Sequence, residues 1–138
     1  MGLDINVSLL LGVFYNDVVE EKEEFQQVTK YHPDTGQPYQ YNKKLSDVYH
    51  MGGNCFNNKW ELTDLLEENE LYLFEDYGLS IIGICVGDVG GGRISNGFSD
   101  PVTVQYVIDK QLEVSNSFAK LGVKDVIPRL FLWSRVSY

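Results

Sequence analysis

Leu79-Ser80-Ile81-Ile82-Gly83-Ile84-Cys85-Val86-Gly87-Asp88-Val89 runs into Gly90-Gly91-Gly92-Arg93-Ile94-Ser95-Asn96-Gly97-Phe98, and the two together read as one strand followed by one glycine loop. Ile81, Ile82, Ile84, Cys85, Val86 and Val89 are apolar on both parities, so both faces of the strand are expected to be covered. This marks an interior strand, and a core must surround it.

The chain is long enough for that core. Its 138 residues are the usual size of one domain. With 43% hydrophobic and 22% charged residues the composition is ordinary for a globular protein, and no apolar run approaches the ~20 residues of a membrane span. Neither export nor a lipid anchor is expected: Met1 to Asn6 lacks a basic region, and Asn6 stands where a myristoylation signal carries Ser or Thr. Cys55 and Cys85 are expected to be free, buried thiols, which fits a reducing, cytoplasmic setting.

The net charge is −9, and it is regional. Residues 1–100 hold 17 acidic and 6 basic side chains, whereas residues 101–138 hold 3 acidic and 5 basic. Asp17 to Glu24 and Glu61 to Asp76 are the acidic tracts. Such surfaces repel phosphate backbones, so direct nucleic-acid binding is not expected, while a partner with a basic surface would be steered toward them. The simpler reading of the same tracts is a solvated face.

In chain order, Ile5 to Tyr15 alternates apolar and polar residues as a first strand, and Val18 to Gln27 reads as an exposed strand extension or a loop. Residues 25–49 have the pattern of a protruding hairpin. Its turn is His32-Pro33-Asp34-Thr35-Gly36-Gln37-Pro38, where Pro33 presets φ, Asp34 can bond the backbone and Gly36 can take a positive φ. Tyr31, Tyr39, Tyr41 and Tyr49 lie on or beside this arm with Lys30, Lys43 and Lys44, a composition enriched at protein interfaces. The alternative is that the tyrosines fold back onto their own sheet.

The segment Val28-Thr29-Lys30-Tyr31-His32-Pro33-Asp34-Thr35-Gly36-Gln37-Pro38-Tyr39 resembles a turn that recurs in small proteins of phages and their bacterial hosts. The resemblance brings no catalytic residues. It implies a phage or prophage setting, hence a bacterial cytoplasm, in which small acidic proteins act by binding host components, defence complexes included.

Lys59 to Asn69 fits a short helix capped by Asn58, with Trp60, Leu62, Leu65 and Leu66 as its buried stripe and Asn69 as a left-handed terminator. Val102 to Leu121 is the long helix, entered through Asp100 and Pro101, striped by Val104, Val107, Ile108, Leu112, Ser115, Phe118 and Leu121, and ended by Gly122. Arg129 to Tyr138 is the last strand. Leu130, Leu132, Val136 and Tyr138 share one parity; Arg129, Phe131, Trp133 and Arg135 on the other form a basic and aromatic row that suits either an interface or a partly buried face.

Chemistry is sparse. The glycine loop lacks Gly-Lys-Ser/Thr and the dinucleotide-binding spacing, so an anion site there rests on Arg93 alone. His50 and Cys55 are candidates for a nucleophile and base or for two metal ligands, without supporting spacing; no cofactor is expected.

The expectation is therefore one α+β domain over residues 1–138, with an antiparallel or mixed sheet of four or five strands, one long helix and one short helix. Its function is read as non-enzymatic binding, in the setting the resemblance implies as a phage-encoded inhibitor of a host protein or nucleoprotein complex with a basic surface. The residues expected to carry it are Glu20, Glu21, Glu23, Glu24, Tyr31, Tyr39, Tyr41, Asp64, Glu67, Glu68 and Glu70. The alternative is a nucleotide-like ligand at loop 87–97, held by Gly90, Gly91, Gly92, Arg93, Ser95 and Asn96. A third reading is a homo-oligomer through Phe131 and Trp133.

Overall fold

Long β-branched and aromatic stretches separated by glycine and asparagine turns favour strands, and strands dominate. The structure, a computed structural model, describes residues 4–76, 78–89 and 102–137. Its elements are β1 (Asp4–Phe14), α1 (Tyr15–Val18), β2 (Val19–Tyr31), β3 (Pro38–Met51), β4 (Asn54–Phe56), α2 (Lys59–Glu68), β5 (Tyr72–Asp76), β6 (Leu79–Val89), α3 (Val104–Lys120) and β7 (Arg129–Ser137).

The fold is α+β, but the strands divide into two antiparallel sheets instead of one. A four-stranded sheet has the order β5-β6-β1-β7, and a three-stranded sheet the order β2-β3-β4. β6 is an interior strand, as its two apolar parities require. The arm does not join β6 and β1, because β3 turns at Gly52-Gly53 and pairs with β4 through Tyr49↔Phe56, His50↔Cys55 and Met51↔Asn54.

The main core lies on the helix side of the four-stranded sheet. Leu11, Val13, Ile82 and Val86 meet Leu62 and Leu66 of α2, Val114 and Phe118 of α3, and Val19, Met51 and Phe56 at the root of the three-stranded sheet. A second, smaller core on the opposite face joins Leu10, Ile81 and Trp133, with Phe74 and Phe131 packed against it. Trp133 is therefore buried and Phe131 half-buried, with the Phe131 ring edge-on to Phe14 at 5.0 Å. The exposed row of β7 is the other parity, Leu130 and Leu132.

Both principal helices begin and end through local chemistry. Asn58 Oδ1 accepts the Glu61 amide at 2.9 Å, and Glu61 Oε2 accepts the Asn57 amide at 3.2 Å, which opens α2. α2 closes with Leu71 N donating to Leu66 O, and the left-handed residue is Glu70 (φ 59°), one place after the expected Asn69. Trp60 is 79% exposed, since Leu62 and Leu66 define the buried face and Trp60 stands two residues before it. Thr103 Oγ1 accepts the Tyr106 amide at 3.1 Å and starts α3. The expected entrance at Asp100 and Pro101 lies outside the described residues. At its far end, Gly122 (φ 85°) allows Val123 N to reach Phe118 O, as expected. Val104, Ile108 and Leu112 are exposed rather than part of the buried stripe.

Candidate functional site

β2 and β3 pair over 13 positions, from Val19↔Met51 to Tyr31↔Pro38, and form a ribbon that leaves the body of the protein. Among its described side chains, the buried ones are Val19, Val48 and Met51, at its root. Residues 20–27 and 29–40 are exposed, so both faces of the ribbon meet solvent. The pairing register shifts between Glu24 and Phe25: Glu24 faces Ser46 and Phe25 faces Lys44. That bulge separates the ribbon into two stretches of different chemistry.

The root side is acidic. Register alternation puts Glu21 and Glu23 on the face of Val19, and Glu20 and Glu24 on the other. Glu21 Oε1 accepts the Tyr15 hydroxyl at 2.9 Å. Glu23 accepts Lys44 Nζ at 3.1 Å, and Asp47 lies 3.2 Å from the same amine. Those bonds, Glu23 first, hold the Lys44 amine above its ordinary pKa. Glu20 lies 3.7 Å from Lys22 Nζ.

The tip is aromatic and basic. The turn closes with Gly36 N donating to His32 O at 2.8 Å and His32 N to Gln37 O at 2.9 Å, with Gly36 at φ 72°. On one face Lys30 Nζ lies 4.9 Å from the Tyr41 ring centroid, Tyr41 is 6.4 Å from Tyr39, and Tyr39 is 4.5 Å from His32. On the opposite face Gln27 Nε2 donates to Gln40 Oε1 at 2.6 Å, flanked by Phe25 and the 68% exposed Tyr31. The three tyrosines thus divide two to one between the faces.

Asp64, Glu67 and Glu68 are exposed on α2. Glu70 sits elsewhere, beside an open cleft of about 250 Å³ lined by Tyr72, Tyr106, Lys110, Glu113 and Ser117. Lys110 donates to Glu113 at 2.9 Å, and that bond holds its amine above the ordinary value. Gly90, Gly91, Gly92, Arg93, Ser95 and Asn96 lie outside the described residues.

The three-stranded sheet also aligns residues far apart in sequence. Glu20 faces His50 in one pairing and His50 faces Cys55 in the next, so carboxylate, imidazole and thiol stand in a row across β2, β3 and β4. No spacing rule would have found this row, because it depends on the β3-β4 turn. Among the described residues no group of three His, Cys, Asp or Glu side chains is placed to hold a metal ion. Cys55 and Cys85 are free and exposed, contrary to the expected burial; in β6 the shift of register between Leu9 and Leu10 of its partner strand falls beside Cys85.

No protein-family model, curated protein or solved structure matches this chain.

Proposed function

We propose that this protein is a non-enzymatic binding protein that grips a macromolecular partner with its ribbon, the tip tyrosines making contact and the acidic root and α2 surface steering a basic region of the partner into place. The observation that carries this reading is the ribbon's exposure on both faces. A two-stranded ribbon is marginal by itself, and ordering each of its residues costs about 1–2 kcal/mol in backbone entropy, which burial on the core does not offset here. The accessible surface supports the same view. It is 9665 Å², against about 7,300 Å² for a compact chain of this mass. The ribbon is one source of the excess.

The partner class follows from charge: a protein or nucleoprotein complex presenting a basic surface, with no direct contact to nucleic acid. The turn at Tyr31 to Tyr39 suggests a phage or prophage setting and inhibition of a host complex.

Affinity capture from bacterial lysate on the tagged protein, at low and high salt, tests the reading. A stoichiometric partner should be retained at low salt, released at high salt, lost with Tyr39→Ala/Tyr41→Ala, and weakened when Glu20, Glu24, Asp64, Glu67 and Glu68 are replaced by Lys. Retention that ignores salt and all these substitutions would reject it.

A further inference from the structure

The two edges of the four-stranded sheet are built differently. β5 is five residues long and ends in Glu75 and Asp76. β7 is nine residues long, carries no acid, and pairs with β1 without a break in register from Asp4↔Ser137 to Gly12↔Arg129. Among the described residues its outer edge has no partner strand. Natural edges are usually blunted by shortness, lysine, proline or a bulge. β7 is neither short nor bulged and holds no lysine or proline; its charged residues are Arg129 and Arg135, toward its two ends.

An apolar strip lies beside this edge. Leu130 and Leu132 face Leu11 and Leu9 across the β1-β7 pairing, so they share the helix side of the sheet, yet Leu132 is 73% exposed. α3 is tied to the connection before β7, where Gln111 Nε2 donates to Pro128 O at 2.8 Å and Ser115 Oγ to Val126 O at 3.1 Å. Ile108 and Leu112 of α3 and Ile127 of the connection line a shallow groove there and are all more than half exposed.

We propose that β7 pairs antiparallel with β7 of a second copy of this chain, joining the two sheets into one of eight strands. An antiparallel edge is self-complementary under a two-fold axis, since residue i meets j and j meets i. The axis runs through the sheet, so both α3 helices stay on the same side and their apolar strips approach each other across the new seam. Charge opposes self-association least at this surface: residues 101–138 are only slightly basic, with 3 acidic and 5 basic side chains, so two copies meeting here keep their acidic tracts apart. The size fits as well. Taking ~60–120 Å² for each apolar side chain, the strip supplies roughly 300 Å² of apolar area per copy. With the usual polar share, this makes an interface of about 1,000 Å² in total, near the lower bound for specific association.

Light scattering coupled to size exclusion, across micromolar to sub-millimolar concentration, tests this. The mass should rise with concentration from 15.7 kDa toward twice that value, and Leu130→Lys/Leu132→Lys should hold it at the lower value with an unchanged circular dichroism spectrum. A wild type that stays monomeric throughout, because the edge is closed by its own chain or reserved for another partner, overturns the proposal; so does a dimer that survives the double substitution. If that variant does not fold, Ser134→Cys in a Cys55→Ser/Cys85→Ser background decides. A short bis-maleimide should link it into a covalent dimer, Asp64→Cys in the same background should not be linked, and equal cross-linking of both overturns the pairing.

Discussion

Gly12 of β1 and Gly83 of β6 stand directly opposite each other in the two interior strands, so close that a Cβ on Gly83 would lie 2.6 Å from the Gly12 Cα and one on Gly12 would overlap the Ile82 carbonyl. The obstacle on each side is backbone, which cannot swing aside. Gly12→Ala and Gly83→Ala should each destabilise by about 3 kcal/mol or more in urea unfolding. Gly53→Ala, which meets nothing within 4 Å, should stay within about 0.5 kcal/mol.

Asn54 ties the three-stranded sheet to the end of α3. Its amide donates to Leu121 O at 2.8 Å and Met51 O at 3.1 Å. Asn54→Ala should cost about 1–3 kcal/mol. Asn54→Asp should be at least as harmful, since a carboxylate cannot donate to either carbonyl. Thermal melts of the two variants check the order.

Glu70 occupies a left-handed position at the end of α2 (φ 59°). Glu70→Gly removes the steric cost of that conformation, roughly 1 kcal/mol, and should raise the melting temperature slightly, the gain reduced by glycine's larger unfolded-state entropy. Glu70→Val should lower it.

Tyr15 gives a pH dependence. Burial, then its hydrogen bond to Glu21, holds the phenol well above the ordinary tyrosine value near 10. The folded state therefore binds the proton more tightly than the unfolded state. The contribution is fully present below pH ~10 and declines above it, by at most about 1.4 kcal/mol per pH unit. Tyr15→Phe should flatten this alkaline slope in chemical denaturation at pH 9 to 11.

Both cysteines are exposed and unpaired. Maleimide should label Cys55 and Cys85 in the native protein at rates within roughly tenfold of those in urea. Protection of either thiol until unfolding would contradict the exposure described.

Where local chemistry decides, the sequence was readable. The double apolar parity of residues 81–86 located the interior strand, Pro33 and Gly36 located the turn, and Asn58 and Gly122 located helix ends. Sidedness was harder. Parity separates Leu130 and Leu132 from Phe131 and Trp133, but which pair is buried depends on what lies over each face. Here Leu10 and Ile81 build a second core that takes in Trp133, while α3 leaves the helix side of β7 uncovered. In α3 the period was right and the phase was not: Leu112 lies about 120° round the helix from Phe118, beyond the edge of the buried stripe. The tyrosine tip of the ribbon was legible from its turn. The row of Glu20, His50 and Cys55 was not, because strand pairing across a glycine turn creates it. Nor did the run of acids show that β2 would divide Glu20 and Glu24 from Glu21 and Glu23.

The position of β1 has a consequence for how the chain acquires its structure. β1 is the first described strand to be synthesised, yet both its neighbours, β6 and β7, come much later, and β7 is the last. β2 and β3 need only close a short turn, an event of roughly 1–10 μs. The ribbon can pair transiently on a nascent chain while β1 waits for distant partners, and such non-local pairing slows folding. Refolding should accordingly show a fast signal from the tyrosines of the arm, followed by a slow one as Trp133 enters the second core.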